Sequence, residues 1–290
     1  MRDTLLGFSL LLIAAAAANA APAATTPEDL QSVTIEARRH AEQQRAKAFV
    51  DRVVVQRLDQ AYPVWREPVC VGIFGASAAQ EQFIRARLSQ IFTRAGAPLG
   101  AAGCPANFHI VITAHADALV EAWTTRFDGY AVTGWHAQKQ RLEQPRPIRV
   151  WYGVDVVAAD GTTSGGTCPG QSQASEVRVV CGAFATRLQF NEVTRFDSLV
   201  MILDLERVSD FSLGQLVDYI ALVGLTRVNL DAQLRGEPTL LGLFHVPREE
   251  RLQGLSDWDR AFLAALYHSN LATRGQDADI ARAMVGTLEH

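Results

Sequence analysis

The chain has 290 residues, of which 48% are hydrophobic, and a formal net charge of −4. This length and apolar content can bury one large core or two small ones. The slight negative charge argues against a nucleic-acid-binding protein, because such a protein needs a concentrated basic surface.

The N-terminus has the pattern of a secretory signal peptide. Arg2 precedes an uninterrupted run of apolar and small residues at 5–18, and residues 18–20 (Ala-Asn-Ala) form a small-x-small cleavage site. The run is short and alanine-rich for a membrane span, although a retained anchor helix is the alternative. No later segment is long and apolar enough to cross a bilayer. We therefore expect residues 1–20 to be removed and the mature chain to be exported, to the periplasm or as a secreted protein.

Residues 21–68 are predicted to be a linker followed by an N-terminal helical segment. Pro, Ala and Thr dominate residues 21–30, which is typical of a disordered linker. Residues 32–38 alternate like a short strand, and apolar residues at helical spacing predict a helix over residues 42–58. The main domain is then expected at residues 69–290.

In this domain, strand-like apolar runs alternate with amphipathic helices. The pattern predicts an α/β (α+β) fold with a mixed, twisted sheet and helices packed on it. A long loop is expected at residues 124–147, and a Gly-, Ser- and Thr-rich insertion near 159–183. The strands are predicted at residues 69–74, 107–113, 148–156 and 198–204, with a hairpin of residues 177–183 and 188–190. The helices are predicted at residues 78–95, 212–227, 257–268 and 278–285, with a helical turn at 117–123.

Four cysteines in an oxidising compartment allow three disulfide pairings. We favour Cys70–Cys104, because Cys70 begins one apolar strand and Cys104 precedes another. The second pair would be Cys168–Cys181, which would pin the insertion as a closed loop. A metal-binding reading of the cysteines is weak, since no C-x-x-C spacing occurs.

The segment at residues 212–227 (SLGQLVDYIALVGLTR) is the most informative helix. Ser212, followed three residues later by Gln215, forms a capping box that marks its start. The segment has the outline of a zinc-peptidase helix, H-E-x-x-H-x-x-G-x-x-H, in which two imidazoles and a carboxylate serve the metal site. The Gly-Leu step of that helix aligns with Gly224 and Leu225.

On this alignment the zinc ligands are missing. Val217 and Ala221 stand at the two helical histidines, and Arg227 stands at the third ligand. Asp218 alone keeps a carboxylate, at the general-base position. A carboxylate without zinc cannot lower the pKa of a bound water to about 7. We therefore expect no metal and no cofactor.

From about residue 69 to about residue 268, the chain resembles the catalytic domain of the zincin peptidases, of the metzincin type. The order of strands and helices is similar, and Thr239, Leu240 and Leu241 stand where that family has Ser-Ile-Met in its methionine turn. Residues 255–267 look like the family's closing helix, with Ser256 and Asp259 as its cap. The resemblance implies a zincin-like arrangement without the activity.

The leading functional hypothesis is a non-catalytic, pseudo-peptidase-like protein that binds a peptide or a partner protein in a relict cleft. The resemblance implies strand addition along residues 148–156, with Arg149 and Trp151 reaching the bound chain and Asp218 and Tyr219 lining the floor. The alternative for these four side chains is ordinary packing and surface charge.

Two other hypotheses remain open. Gly75-Ala76-Ser77-Ala78 partly matches the nucleophile elbow of hydrolases, for which Asp204 and His245 could complete a triad, although Ser77 and Gln80 also form a plain capping box. A hydrolase could also be a peptidase with an unrecognised site. The third hypothesis is a structural cell-envelope component that associates through the helix at residues 42–58.

Overall fold

The computed structural model describes residues 27–55, 61–126, 135–158, 190, 192–270 and 272–289. The predicted signal peptide, the Cys168–Cys181 pair and most of the predicted hairpin and insertion lie outside these ranges. Contacts divide the chain into two units, residues 1–38 and residues 39–290. In the first unit, the described residues 27–38 are helical.

Helix α1 spans Pro27–Val53. The strand predicted at residues 32–38 is therefore wrong, and the helix begins inside the predicted linker. Pro27 suits the first helical position, where its missing N–H is not needed. The alternating stretch runs directly into alanine, glutamate, glutamine and arginine, which are strong helix formers, so the helix continues through it. In the second unit, Phe49, Val50 and Val53 are fully buried on one side of the helix.

A mixed, mostly parallel sheet of five strands with helices packed on it confirms the predicted fold class. β4 pairs with β5 in antiparallel fashion along the whole of β5. β3 and the short β1 pair in parallel with successive parts of β5, and β2 pairs in parallel with β3. Among the described strands, β1, β2 and β4 thus each pair with a single neighbour. The strands are β1 Val64–Trp65, β2 Val71–Phe74, β3 Phe108–Thr113, β4 Ile148–Ala158 and β5 Glu192–Asp204.

The helix starts follow the local sequence closely. Ser77, Ser212 and Ser256 each form the predicted capping box. Helix α4 lies within the predicted 124–147 loop, which is a correction, and α3 is longer than the predicted helical turn. The further helices are α2 Ala78–Ala95, α3 Ala116–Arg126, α4 Trp135–Glu143, α5 Leu213–Leu225, α6 Asp257–His268 and α7 Gln276–Leu288, with 3-10 turns at Leu240–Gly242 and Arg248–Glu250.

The two faces of the sheet carry cores of different size. Leu199, Met201 and Leu203 of β5 belong to the large core, which also contains side chains of α2, α5 and α6. Ile202 points the other way, into a smaller core with Val120 of α3 and Leu142 of α4. This alternation is the two-residue period of a strand covered on both faces.

Helix α5 lies close against the sheet. A β-carbon at Gly224 would overlap the ring of Phe108, so only glycine allows this approach. The indole N–H of Trp65 donates a hydrogen bond of 2.8 Å to the Gly224 carbonyl. The backbone of α5, the helix whose sequence resembles the zinc-peptidase motif, is thus held directly against the sheet.

The Cys70–Cys104 disulfide is present, with the two Cα atoms 5.8 Å apart, and this predicted pairing is confirmed. It ties the residue before β2 to the loop that leads into β3. None of the helices in the described ranges is both long enough and apolar enough to cross a membrane.

Candidate functional site

Two of the three positions that the sequence alignment matches to zinc ligands are buried in the large core. Val217 and Ala221 are fully buried, and their aliphatic side chains offer no lone pair to a metal. Arg227 lies just beyond Thr226, the C-cap of α5, and is half-buried. Among the described residues, no group of three His, Cys, Asp or Glu side chains is placed to hold a metal ion.

Asp218 is buried and is part of an ion pair. Its carboxylate accepts two hydrogen bonds from Arg87 of α2, one of them from Nη2 at 2.8 Å. A third comes from the main-chain N–H of Leu255, at 2.9 Å. The hydrogen bond to Asp218 raises the pKa of Arg87. These contacts join α5 to α2 and to the start of α6, which indicates a structural role for Asp218.

Tyr219 is also buried. Its ring meets the ring of Phe244 edge to face, with the centroids 4.8 Å apart. Burial raises the pKa of the Tyr219 phenol, and the charge of Arg146 acts in the opposite direction.

The side chains of Arg149 and Trp151 lie on the face of β4 that α3 and α4 cover. Arg149 is fully buried, pairs with Asp117 of α3 and donates to the carbonyl of Gln144 at 3.0 Å. Trp151 packs edge to face against Trp123 of α3, with the centroids 5.8 Å apart. Helix α4, which was not predicted, packs on this face of β4 together with α3. Whether either residue contacts a bound chain stays a prediction.

A recess runs beside the outer edge of β4. Its walls are α4 on one side and residues 227–231, which follow α5, on the other. Main-chain hydrogen bonds to the end of α1 hold this second wall, from Val55 N–H to the Arg227 carbonyl at 2.9 Å and from Asn229 N–H to the Val53 carbonyl at 2.7 Å. The residues that line the recess are Gln138, Arg141, Arg146, Arg149, Val150, Tyr152, Arg227, Val228, Asn229, Leu230 and Asp231.

The edge of β4 in this recess is partly occupied by a side chain. The N–H of Tyr152 donates to Oε1 of Gln138 at 3.1 Å, instead of to another strand. The Tyr152 hydroxyl donates to the carbonyls of Val223 and Thr226, at 3.0 and 3.3 Å, and so ties the edge strand to the end of α5. Because residues two apart in a strand direct their N–H groups the same way, Val150 presents its N–H to this edge as well.

The recess is strongly basic in a chain that is acidic as a whole. Four arginines and one aspartate line it, against a net charge of −4 for the chain. Arg146 donates from Nη2 to Asp231 and to the side-chain oxygen of Gln144, both at 2.6 Å. Arg141 is exposed and makes no ion pair with any described residue. Burial raises the pKa of the Tyr152 phenol, whereas the charges of Arg227 and Arg141 oppose this rise.

The residues nominated for a serine hydrolase are not joined in the described part of the chain. Ser77 is the exposed N-cap of α2, and its Oγ accepts from Gln80 N–H at 3.4 Å. Asp204 pairs with Arg207 and accepts from the N–H of Glu206 at 3.1 Å. His245 is exposed, and none of the hydrogen bonds within the described ranges connects it to either residue. A nucleophile and its base need such contact, so this arrangement does not favour acyl transfer.

The sequence did not point to Gln138, Arg141 or Arg146. The available signal was residues 135–143 (WHAQKQRLE), which contain no glycine or proline and are mostly good helix formers. The basic character of the recess could not be read from sequence spacing, because it requires α4, β4 and the segment after α5 to meet.

No protein-family model, curated protein or solved structure matches this chain. Its function therefore has to be inferred from the chemistry and geometry of the recess.

Proposed function

We propose that this protein is an exported, non-catalytic binding protein that holds an extended peptide segment of a partner protein in the recess along β4. The observation that carries the proposal is the outer edge of β4, which pairs only with β5 among the described strands and lines that recess. An extended peptide can add to such an edge through main-chain hydrogen bonds, while neighbouring side chains select its sequence.

The proposed absence of catalysis depends on residue chemistry. Val217 and Ala221 cannot ligate a metal, and Asp218 is engaged with Arg87. The kinship with zincin peptidases is itself part of the proposal. The antiparallel strand β4 precedes β5 and α5 in the chain, and this order supports the kinship. The 3-10 turn at Leu240–Gly242, which is hydrogen-bonded to α6 through Asp259, also supports it.

Export is the second part of the proposal. The Cys70–Cys104 disulfide supports it, because disulfides persist mainly in oxidising compartments. The signal-like pattern of residues 1–20 supports it from the sequence. Fractionation of the producing cells would distinguish a periplasmic protein from a secreted one.

The test of the binding function is a selection of random peptides of about nine residues, which is the length of a typical strand or slightly more. The full chain is immobilised, and selected peptides are synthesised and titrated by calorimetry. We expect dissociation constants of about 10 μM, because a peptide must be ordered when it binds.

Amide hydrogen exchange then locates the bound peptide. We expect added peptide to slow the exchange of Val150 N–H on β4 and to leave the amides of β2, which also pairs with a single strand, unchanged. Protection confined to β2, or no selected peptide at all, would refute the proposed function.

Gln138 provides a test of the edge itself. The change Gln138→Leu removes the acceptor of the Tyr152 N–H, which is buried. We expect the free energy of unfolding to fall by about 1 kcal/mol, the cost of an unsatisfied donor. Peptide affinity should rise about fivefold, because the peptide carbonyl then supplies the missing acceptor without displacing Gln138.

The matched control for this variant is Gln140→Leu, since Gln140 lies on the same helix and is exposed. It should change neither quantity. An unchanged peptide affinity in Gln138→Leu would mean that the peptide does not pair with β4 at Tyr152.

A further inference from the structure

The charges of the recess carry an inference about its ligand, which rests on the proposed function. Besides the buried Arg149, three arginines line the recess, and Asp231 is the one carboxylate among its described lining residues. Arg141 and Arg146 come from α4 and the turn that follows it, and Arg227 comes from the opposite wall. Arg141 makes no ion pair with a described residue, and the partner of Arg146, Asp231, is exposed, so these two arginines favour a peptide that brings a carboxylate over a neutral or basic one.

Arg146 shows what kind of group this site accepts. Its side chain is 18% exposed, and its Nη2 already binds the carboxylate of Asp231 at 2.6 Å. Asp231 itself is 64% exposed and lies on the rim. The carboxylate of an exposed residue therefore forms an ion pair with a partly buried guanidinium, as an acidic side chain of a bound peptide would.

Guanidinium chemistry suits a carboxylate ligand. The planar fork of arginine matches a carboxylate with two parallel N–H···O bonds. Arg141, which makes no ion pair with any described residue, lines the same recess and can supply the second set of donors.

We infer that the peptide bound along β4 is acidic, and that one of its side-chain carboxylates takes the place of Asp231 on Arg146 and also binds Arg141. Asp231 then acts as an internal competitor that the ligand displaces. The main-chain pairing with β4 gives the orientation, and the arginines select the sequence.

The experiment uses the full chain and pairs of terminally blocked peptides from the selection, identical except that each Glu or Asp is replaced by Gln or Asn. The acidic member should bind about tenfold more tightly, and its affinity should fall as salt is raised from about 50 mM to about 500 mM. Asp231→Asn should strengthen binding of the acidic peptide about fivefold and leave the neutral one unchanged.

Arg141→Ala is the loss-of-function variant. It should weaken the acidic peptide about fivefold, because one set of donors is gone. Both variants change exposed groups, so the fold is expected to persist. The controls carry the same charge changes away from the recess, Asp257→Asn for Asp231→Asn and Arg94→Ala for Arg141→Ala, and should have no effect.

The outcomes separate this inference from the function on which it rests. Equal binding of acidic and neutral peptides with protection of Val150 would overturn the acidic ligand and leave the peptide function intact. Binding of no peptide would overturn both. Succinate and inorganic phosphate are titrated as small-anion probes, and either one binding as tightly as the acidic peptide would overturn the peptide as the source of the carboxylate.

Discussion

Replacing Asp218 with alanine is expected to lower the free energy of unfolding by about 3 kcal/mol, because removing one partner of a buried ion pair leaves the other without compensation. Asp218 is buried, and its carboxylate accepts from Arg87 and from the main-chain N–H of Leu255. The side chain of Arg87 is 37% exposed and can partly recover hydration. The expected loss is therefore at the lower end of the range for such pairs.

The measurement is urea unfolding of the native chain and of Asp218→Ala. A matched control is Glu81→Ala, which breaks the exposed pair of Arg85 with Glu81 on α2, the helix that carries Arg87. The control should cost no more than about 0.5 kcal/mol, as is usual for surface pairs. An equal, small loss in both variants would contradict the structural role of Asp218.

The same variant also separates two roles for Asp218. If it lined the floor of a binding cleft, Asp218→Ala would weaken peptide binding under conditions where the variant remains folded. We expect its peptide affinity to equal that of the native chain, because Asp218 does not line the recess and its hydrogen bonds are to Arg87 and Leu255. Weaker binding by the folded variant would restore the ligand-contacting role.

Replacing Asp259 with alanine is expected to cost about 3 kcal/mol, because buried donors lose a charged acceptor. The fully buried carboxylate accepts from the Thr239 hydroxyl at 2.6 Å and from the Leu240 N–H at 2.9 Å. It also accepts from the N–H and hydroxyl of Ser256, at 3.1 and 3.0 Å. Burial raises the pKa of Asp259, whereas these four hydrogen bonds oppose the rise.

Asp259 thus joins the turn at Leu240–Gly242 to the start of α6. Asp259→Asn keeps one acceptor oxygen and should lose about half as much stability as Asp259→Ala. The control is Asp257→Ala, in the same helical turn, where the side chain is 90% exposed. It should change the unfolding free energy by no more than about 0.5 kcal/mol. A loss below about 1 kcal/mol in Asp259→Ala would show that the turn is held by other contacts.

The features that could be predicted from the sequence are those that depend on neighbouring residues. The three capping boxes at Ser77, Ser212 and Ser256 set the starts of α2, α5 and α6, because each requires only a hydroxyl and a partner three residues later. The apolar runs that became β2, β3 and β4 were recognisable for the same reason. For residues 32–38 the local pattern predicted the wrong element. A short alternation of apolar and polar residues indicated a strand, but the helix-forming residues that follow extend α1 through it.

β1 and α4 show a second kind of failure. β1 has two residues, Val64 and Trp65, which is too few to show a period, and only pairing with β5 makes it a strand. Helix α4 is polar overall and follows residues that contain glycine, so it resembles a loop until it is seen packed on β4.

By itself, the sequence determined that α5 is a helix, that Val217 and Ala221 within it are aliphatic, and that Cys70 and Cys104 could pair. The tertiary structure alone decided what the polar groups do. It set Asp218 against Arg87, which lies 131 residues away, and brought Arg146 of the turn after α4 to Asp231 beyond α5. These contacts depend on the order of the strands in the sheet, and residue spacing along the chain carries no record of that order.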